Sequence, residues 1–118
     1  MSNPVMRWQI VSPAADQLSQ FYCGLFGWEA SRDNMLNYQV IDTVSERGIQ
    51  GGIWPAPPGV PSFVQLFVDV DDCAAYVAAA GKLGASVLVP PQALPDGDVM
   101  AILKDPSGMS FGIMQSAA

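Results

Sequence analysis

Arg7, Gln9, Gln65 and Trp54 are the side chains of this sequence best suited by type and spacing to hold another molecule. Arg7 and Gln9 alternate with Met6, Trp8 and Ile10, a period of two that predicts a strand with a polar and an apolar face. A guanidinium there suits a carboxylate or phosphate gripped by two parallel hydrogen bonds. Its structural alternative is a salt bridge to Glu29, Asp69 or another acid. Gln9 and Gln65 suit a ligand's polar groups, or each other, because a buried amide must pair with something. The same alternation gathers Gln50, Gly52 and Trp54 on one face of a strand over Ile49–Trp54. It gathers Gln65, Phe67 and Asp69 over Phe63–Val70, and Ser110, Gly112 and Met114 over Met109–Met114. Trp54 suits stacking on a planar ligand, plugging a cavity mouth or meeting a second copy. The candidate ligand-binding residues are therefore Arg7, Gln9, Gln50, Gly52, Trp54, Gln65, Phe67, Ser110 and Gly112. This set is mostly apolar with a few directing polar groups, and its two glycines are expected to leave room.

Other chemistry is poorly served. The sequence has no His, which excludes His-based triads and His-containing zinc and iron sites and removes the usual base at neutral pH. Cys23 and Cys73 are too few and too far apart for a disulfide framework or a CxxC site. Both are expected as free thiols on helices, and no catalytic residue is assigned. The run Asp69, Asp71, Asp72 reads as a helix cap and solvated edge. Asp96-Gly97-Asp98 reads as a turn.

The elements that position these residues follow in order. After the first strand, Val5–Val11, Ser12-Pro13 breaks the chain, and Ser12 is a candidate cap. Leu18, Phe21, Tyr22, Leu25 and Phe26 recur at helical spacing over Ala14–Phe26, with Phe21 and Tyr22 expected in the core, and Gly27 stops the helix. Trp28–Ser31 and Met35–Thr43 are strands around a turn at Arg32-Asp33-Asn34. Residues 55–61 hold four prolines, a stiff connector that is neither helix nor central strand. The order then restarts. Phe63–Val70 is a strand with Val64, Leu66, Val68 and Val70 toward a helix over Cys73–Leu83, capped by Asp71 or Asp72. Strands follow at Ser86–Val89, Val99–Lys104 and Met109–Met114, with Pro90-Pro91 expected to interrupt and Asp105–Gly108 as a turn.

Five Lys/Arg against eleven Asp/Glu give a net charge of -6, and half of the residues are hydrophobic. That balance excludes a disordered acidic tail and offers no basic footprint for nucleic acid. A cationic or neutral small molecule suits the acidic field better. The start MSNPVMRWQI lacks the basic-then-apolar pattern of a signal peptide, and no apolar run is long enough to span a membrane. A cytoplasmic location is the expectation.

Several short motifs, in this order, resemble the vicinal oxygen chelate superfamily, and most of all its glyoxalase-like, bleomycin-resistance-like branch. They are Phe21-Tyr22, Leu25-Phe26-Gly27-Trp28-Glu29, Gly51-Gly52-Ile53-Trp54-Pro55, Val68-Asp69-Val70-Asp71-Asp72, Leu83-Gly84, Val89-Pro90-Pro91, and Asp105-Pro106-Ser107-Gly108 before Phe111-Gly112-Ile113. The resemblance implies an α+β fold of two βαβββ modules, about 4–55 and about 63–115, joined by a connector at 55–62. Curved sheets would surround a cavity, with the helices on the convex side. In metal-dependent members, strands supply the ligands, and the matching positions here are Arg7, Gly52, Gln65 and Gly112. A permanent cation, two glycines and one amide do not make a divalent-metal site, so no metal or cofactor is expected. The implied function is metal-independent capture of a small organic ligand. Bleomycin-type drugs, cationic and partly planar, are one such class. The alternatives are a glyoxalase-like lyase or isomerase, or a dioxygenase-type enzyme. A homodimer is the implied assembly.

Overall fold

The computed structural model describes residues 3–31 and 38–117. Its elements run β1 Val5–Ser12, α1 Ala15–Phe26, β2 Glu29–Ser31, β3 Gln39–Asp42 and β4 Gly51–Pro55. They continue as β5 Phe63–Val70, α2 Cys73–Lys82, β6 Ser86–Ala93, β7 Val99–Lys104 and β8 Ser110–Gln115. Strand-helix-strand-strand-strand thus occurs twice, giving the expected α+β class and two βαβββ modules. The turn expected at Arg32-Asp33-Asn34 and the start of the strand expected over Met35–Thr43 lie outside the described residues. The chain divides into two compact units, Arg7–Gln65 and the chain from Leu66 onward together with the residues before Arg7.

In the first unit the strand order is β2-β3-β4-β1. Parallel pairing of β1 with β4 sets Trp8 against Gly51, Gln9 against Gly52 and Val11 against Trp54. Trp8 and Ile10 pack with Leu18, Cys23 and Trp28 around buried Ala15, Ile41 and Ile53, so α1 covers one face of the sheet. Ser12 does not cap the helix. It is fully buried at the end of β1, its hydroxyl accepts from the Ala14 N–H at 3.0 Å and lies 2.7 Å from that of Ser62. Ala14 is the N-cap residue, and its side chain makes no capping bond. Gly27 ends α1 as expected, in a left-handed conformation (φ 75°) that returns its N–H to Cys23.

Phe21 is a correction: it is 56% exposed rather than core. Six residues beyond buried Ala15, it lies about 120° around the helix from the packed face. Tyr22 does turn inward, its ring stacking 5.9 Å from that of Trp28.

In the second unit the order is β5-β8-β7-β6. Buried Val70, Cys73, Ala101, Leu103 and Ile113, with Val68, Tyr76 and Phe111, form its core beneath α2. Asp72 caps α2, its carboxylate accepting from the Ala75 N–H at 3.1 Å. Residues before Arg7 belong here because Pro4 accepts from the Asp69 N–H at 2.9 Å and Asn3 donates to the Asp69 carbonyl at 3.0 Å.

Three expectations fail in β5 and β8. Val64 and Leu66 are 61% and 50% exposed, and Met109 is 67% exposed. The core beneath α2 reaches only Val68 and Val70 of β5, and Met109 precedes β8. Pro90-Pro91 also does not end its strand. β6 closes one end of the strand order and, among the described residues, pairs only with β7, and a register shift between Val89 and Gln92 accommodates the prolines. An edge strand tolerates the missing N–H donors.

Candidate ligand site of the first unit

Because Trp8, Ile10 and Ile53 are turned toward α1, alternation places Arg7, Gln9, Gly52 and Trp54 on the opposite face. There Gln65 Nε2 donates to Gln9 Oε1 at 2.8 Å. Of the two roles open to these amides, pairing with each other is the one observed. Gln65 is buried and Gln9 half-buried, which gives the pair an ordered, partly desolvated position.

Tyr38 completes this face, and sequence reasoning gave it no site role. Pairing of β3 with β4 sets Gln39 against Ile53 and Val40 against Gly52, which brings Tyr38 alongside Trp54. Their rings lie 5.9 Å apart at 42°. The Tyr38 hydroxyl occupies the space a side chain at position 52 would need, so Gly52 admits an aromatic rather than leaving a void. The available signal was an aromatic one strand away from a glycine, a pairing in which the ring covers the bare backbone.

Arg7 is half-buried on this face. Among the described residues neither Glu29 nor Asp69, nor any other group, pairs with its guanidinium. Gln50 is turned to a structural task. It is exposed, and its Oε1 accepts from the Thr43 N–H at 2.6 Å and the Thr43 hydroxyl at 2.9 Å, closing the loop that joins β3 to β4.

Phe67, Ser110 and Gly112 belong to the second unit. Phe67 is buried and faces Gly112 across the β5–β8 pair. Its ring fills the space over Gly112, so this glycine too leaves no room of its own. Ser110 is half-buried opposite Lys104.

The four positions implied as metal ligands do not fit a divalent cation. Arg7 brings a positive charge, the Gln65 amide donates to Gln9, Tyr38 covers Gly52, and Phe67 covers Gly112. No group of three or more His, Cys, Asp or Glu side chains that would hold a metal occurs among the described residues. The cysteines are free, Cys73 is buried, and burial followed by the neighbouring Asp72 charge pushes its thiol up, away from the reactive thiolate.

A shallow pocket of about 320 Å³ lies at the start of α1, formed by residues 13–17, Gln39 and Pro55. Gln39 Nε2 donates there to Asp16 Oδ1 at 3.1 Å. None of the predicted ligand-binding residues lines it.

The family model described as "Glyoxalase-like domain" matches residues 9–114. A relative described as "Putative glyoxylase CFP32", from Mycobacterium bovis and Mycobacterium tuberculosis, is 32% identical over 81 residues. The match covers 69% of this chain and 31% of the relative, so the chain spans about a third of that protein's length. Methylmalonyl-CoA epimerase from Mycobacterium tuberculosis superposes with a TM-score of 0.68 at 12% identity, covering 97% of this chain and 88% of the other. A glyoxalase/bleomycin resistance protein/dioxygenase superfamily member from Vibrio splendidus superposes with a TM-score of 0.65 at 12% identity, covering 97% and 98%. The repeated module, the matched length and these shared folds agree: the chain belongs to the glyoxalase-like domain family of the vicinal oxygen chelate superfamily.

Proposed function

We propose that this chain binds a small, partly planar organic molecule without a metal, on the face of the first unit opposite α1. The observation that carries the reading is the ordered Gln9–Gln65 amide pair beside the Tyr38–Trp54 aromatic pair. Amides supply directional hydrogen bonds and the rings a flat apolar surface, the mixture small-molecule sites use. The residues at the superfamily's ligand positions supply no metal site, which supports capture over metal-assisted catalysis. Metal-assisted lyase, isomerase or dioxygenase chemistry would need a set of metal-ligating side chains, and no group of three or more His, Cys, Asp or Glu that would hold a metal occurs among the described residues.

The test is a thermal-shift panel of organic compounds, bleomycin-type antibiotics included, run on the parent chain and on Trp54→Ala. A ligand that prefers the folded state raises the melting temperature. The expected result is a rise with one planar class, lost in Trp54→Ala. Shifts unaffected by Trp54→Ala would place binding elsewhere and contradict the proposal.

A further inference from the structure

We infer that the ligand held on this face is an organic anion, a planar molecule with a carboxylate at one end that is clamped by Arg7. The inference rests on the capture reading and names the chemical class within it. Arg7 is the observation. The residue is half-buried and, among the described residues, its guanidinium has no partner. The sequence has eleven acidic side chains against five basic ones, so counter-ions are abundant, yet among the described residues none pairs with it. A partly desolvated charge without a partner is disfavoured, and a carboxylate is the group whose two oxygens match a guanidinium's fork.

The spacing along the strands gives the ligand its shape. Gln9 follows Arg7 on the same face and lies opposite Gly52, and Val11, two residues further, lies opposite Trp54. The rise from Arg7 to Val11 is roughly 13 Å at a strand's pitch. A fused or substituted aromatic ring with one carboxylate fits within that span. Its charge would sit by Arg7, its edge by the Gln9–Gln65 amides and its plane against Tyr38 and Trp54. The acidic surface gives such an anion no long-range attraction, so its affinity must come from the local clamp.

Three probes of one shape separate the possibilities: 2-naphthoate, its neutral amide 2-naphthamide, and the cationic 2-naphthylmethylamine. Each is titrated calorimetrically into the parent chain and into Arg7→Met. The carboxylate is expected to bind at least about tenfold more tightly than the amide or the amine, the scale of a hydrogen bond to a charged group. Arg7→Met should remove that preference while amide binding persists. The acid–amide comparison within the parent chain tests the inference even if the variant does not fold. Equal or tighter binding of the amide or amine to the parent, or an unchanged acid preference in a folded Arg7→Met, would overturn the anion and leave ligand capture standing. No binding of any probe at millimolar concentration would overturn both.

Discussion

At the scale of single residues, glycines and aromatics are fitted to one another. Trp8 lies over Gly51, Tyr38 over Gly52 and Phe67 over Gly112. A Cβ at position 51 or 112 would meet the middle of a buried or packed ring, whereas at position 52 it would meet the hydroxyl end of Tyr38. Gly112→Ala is therefore expected to destabilise the chain by about 1–3 kcal/mol through overpacking, and Gly52→Ala by less, as read by chemical denaturation. The sequence showed the faces these glycines occupy, but not that neighbouring rings would fill the space over them, because a strand pattern does not specify rotamers. Asp105 supplies a second residue-scale prediction. Its carboxylate accepts from the Ser107 hydroxyl at 2.6 Å and from the Ser107 and Met109 N–H groups at 2.8 and 3.1 Å. Led by the Ser107 hydroxyl, these bonds hold its carboxyl below the ordinary 3.8. A depressed folded pKa contributes stability above about 3.8 and loses it as the pH falls through the lower folded value. Asp105→Ala should thus melt earlier than the parent at neutral pH, and the two melting curves should converge in strong acid.

At the scale of elements, termination signals carried most of the information. Gly27 and Asp72 act where glycine stops and aspartate caps were expected, and β5 and β7 span Phe63–Val70 and Val99–Lys104 as read from alternation. Asp72→Ala is expected to cost about 1 kcal/mol, the loss of one capping bond, measurable by urea denaturation with unchanged m-value. What alternation did not reveal was how far each helix reaches along its sheet. Val64 and Leu66 continue the apolar face of β5 past the core beneath α2, and only three-dimensional contact separates them from Val68 and Val70. The continuation of β6 through Pro90-Pro91 was hidden for a related reason. Proline is excluded from central strands, and whether a strand is central depends on pairings that one sequence does not display.

At the scale of the whole molecule, the repeat of βαβββ was legible because both copies carry the same order of strand, helix and glycine stops. The candidate ligand face was legible in part. Arg7, Gln9, Trp54 and Gln65 lie in the unit that also holds Tyr38, while Gln50 serves a loop and Phe67 covers a glycine of the other unit. Phe21, Leu25 and Phe26 leave an apolar strip exposed on α1. Such a strip would suit the homodimer that the family resemblance implies, for which sedimentation equilibrium should return twice the 12.5 kDa chain mass. A monomer at tens of micromolar would contradict that assembly. Metal independence is the central claim, and metal content tests it most directly. Protein purified from medium supplemented with nickel, zinc, manganese and iron should carry far less than one metal per chain, and adding these ions should leave its melting temperature unchanged. One bound metal per chain, retained through dialysis, would contradict the account and return the superfamily's metal chemistry to this fold.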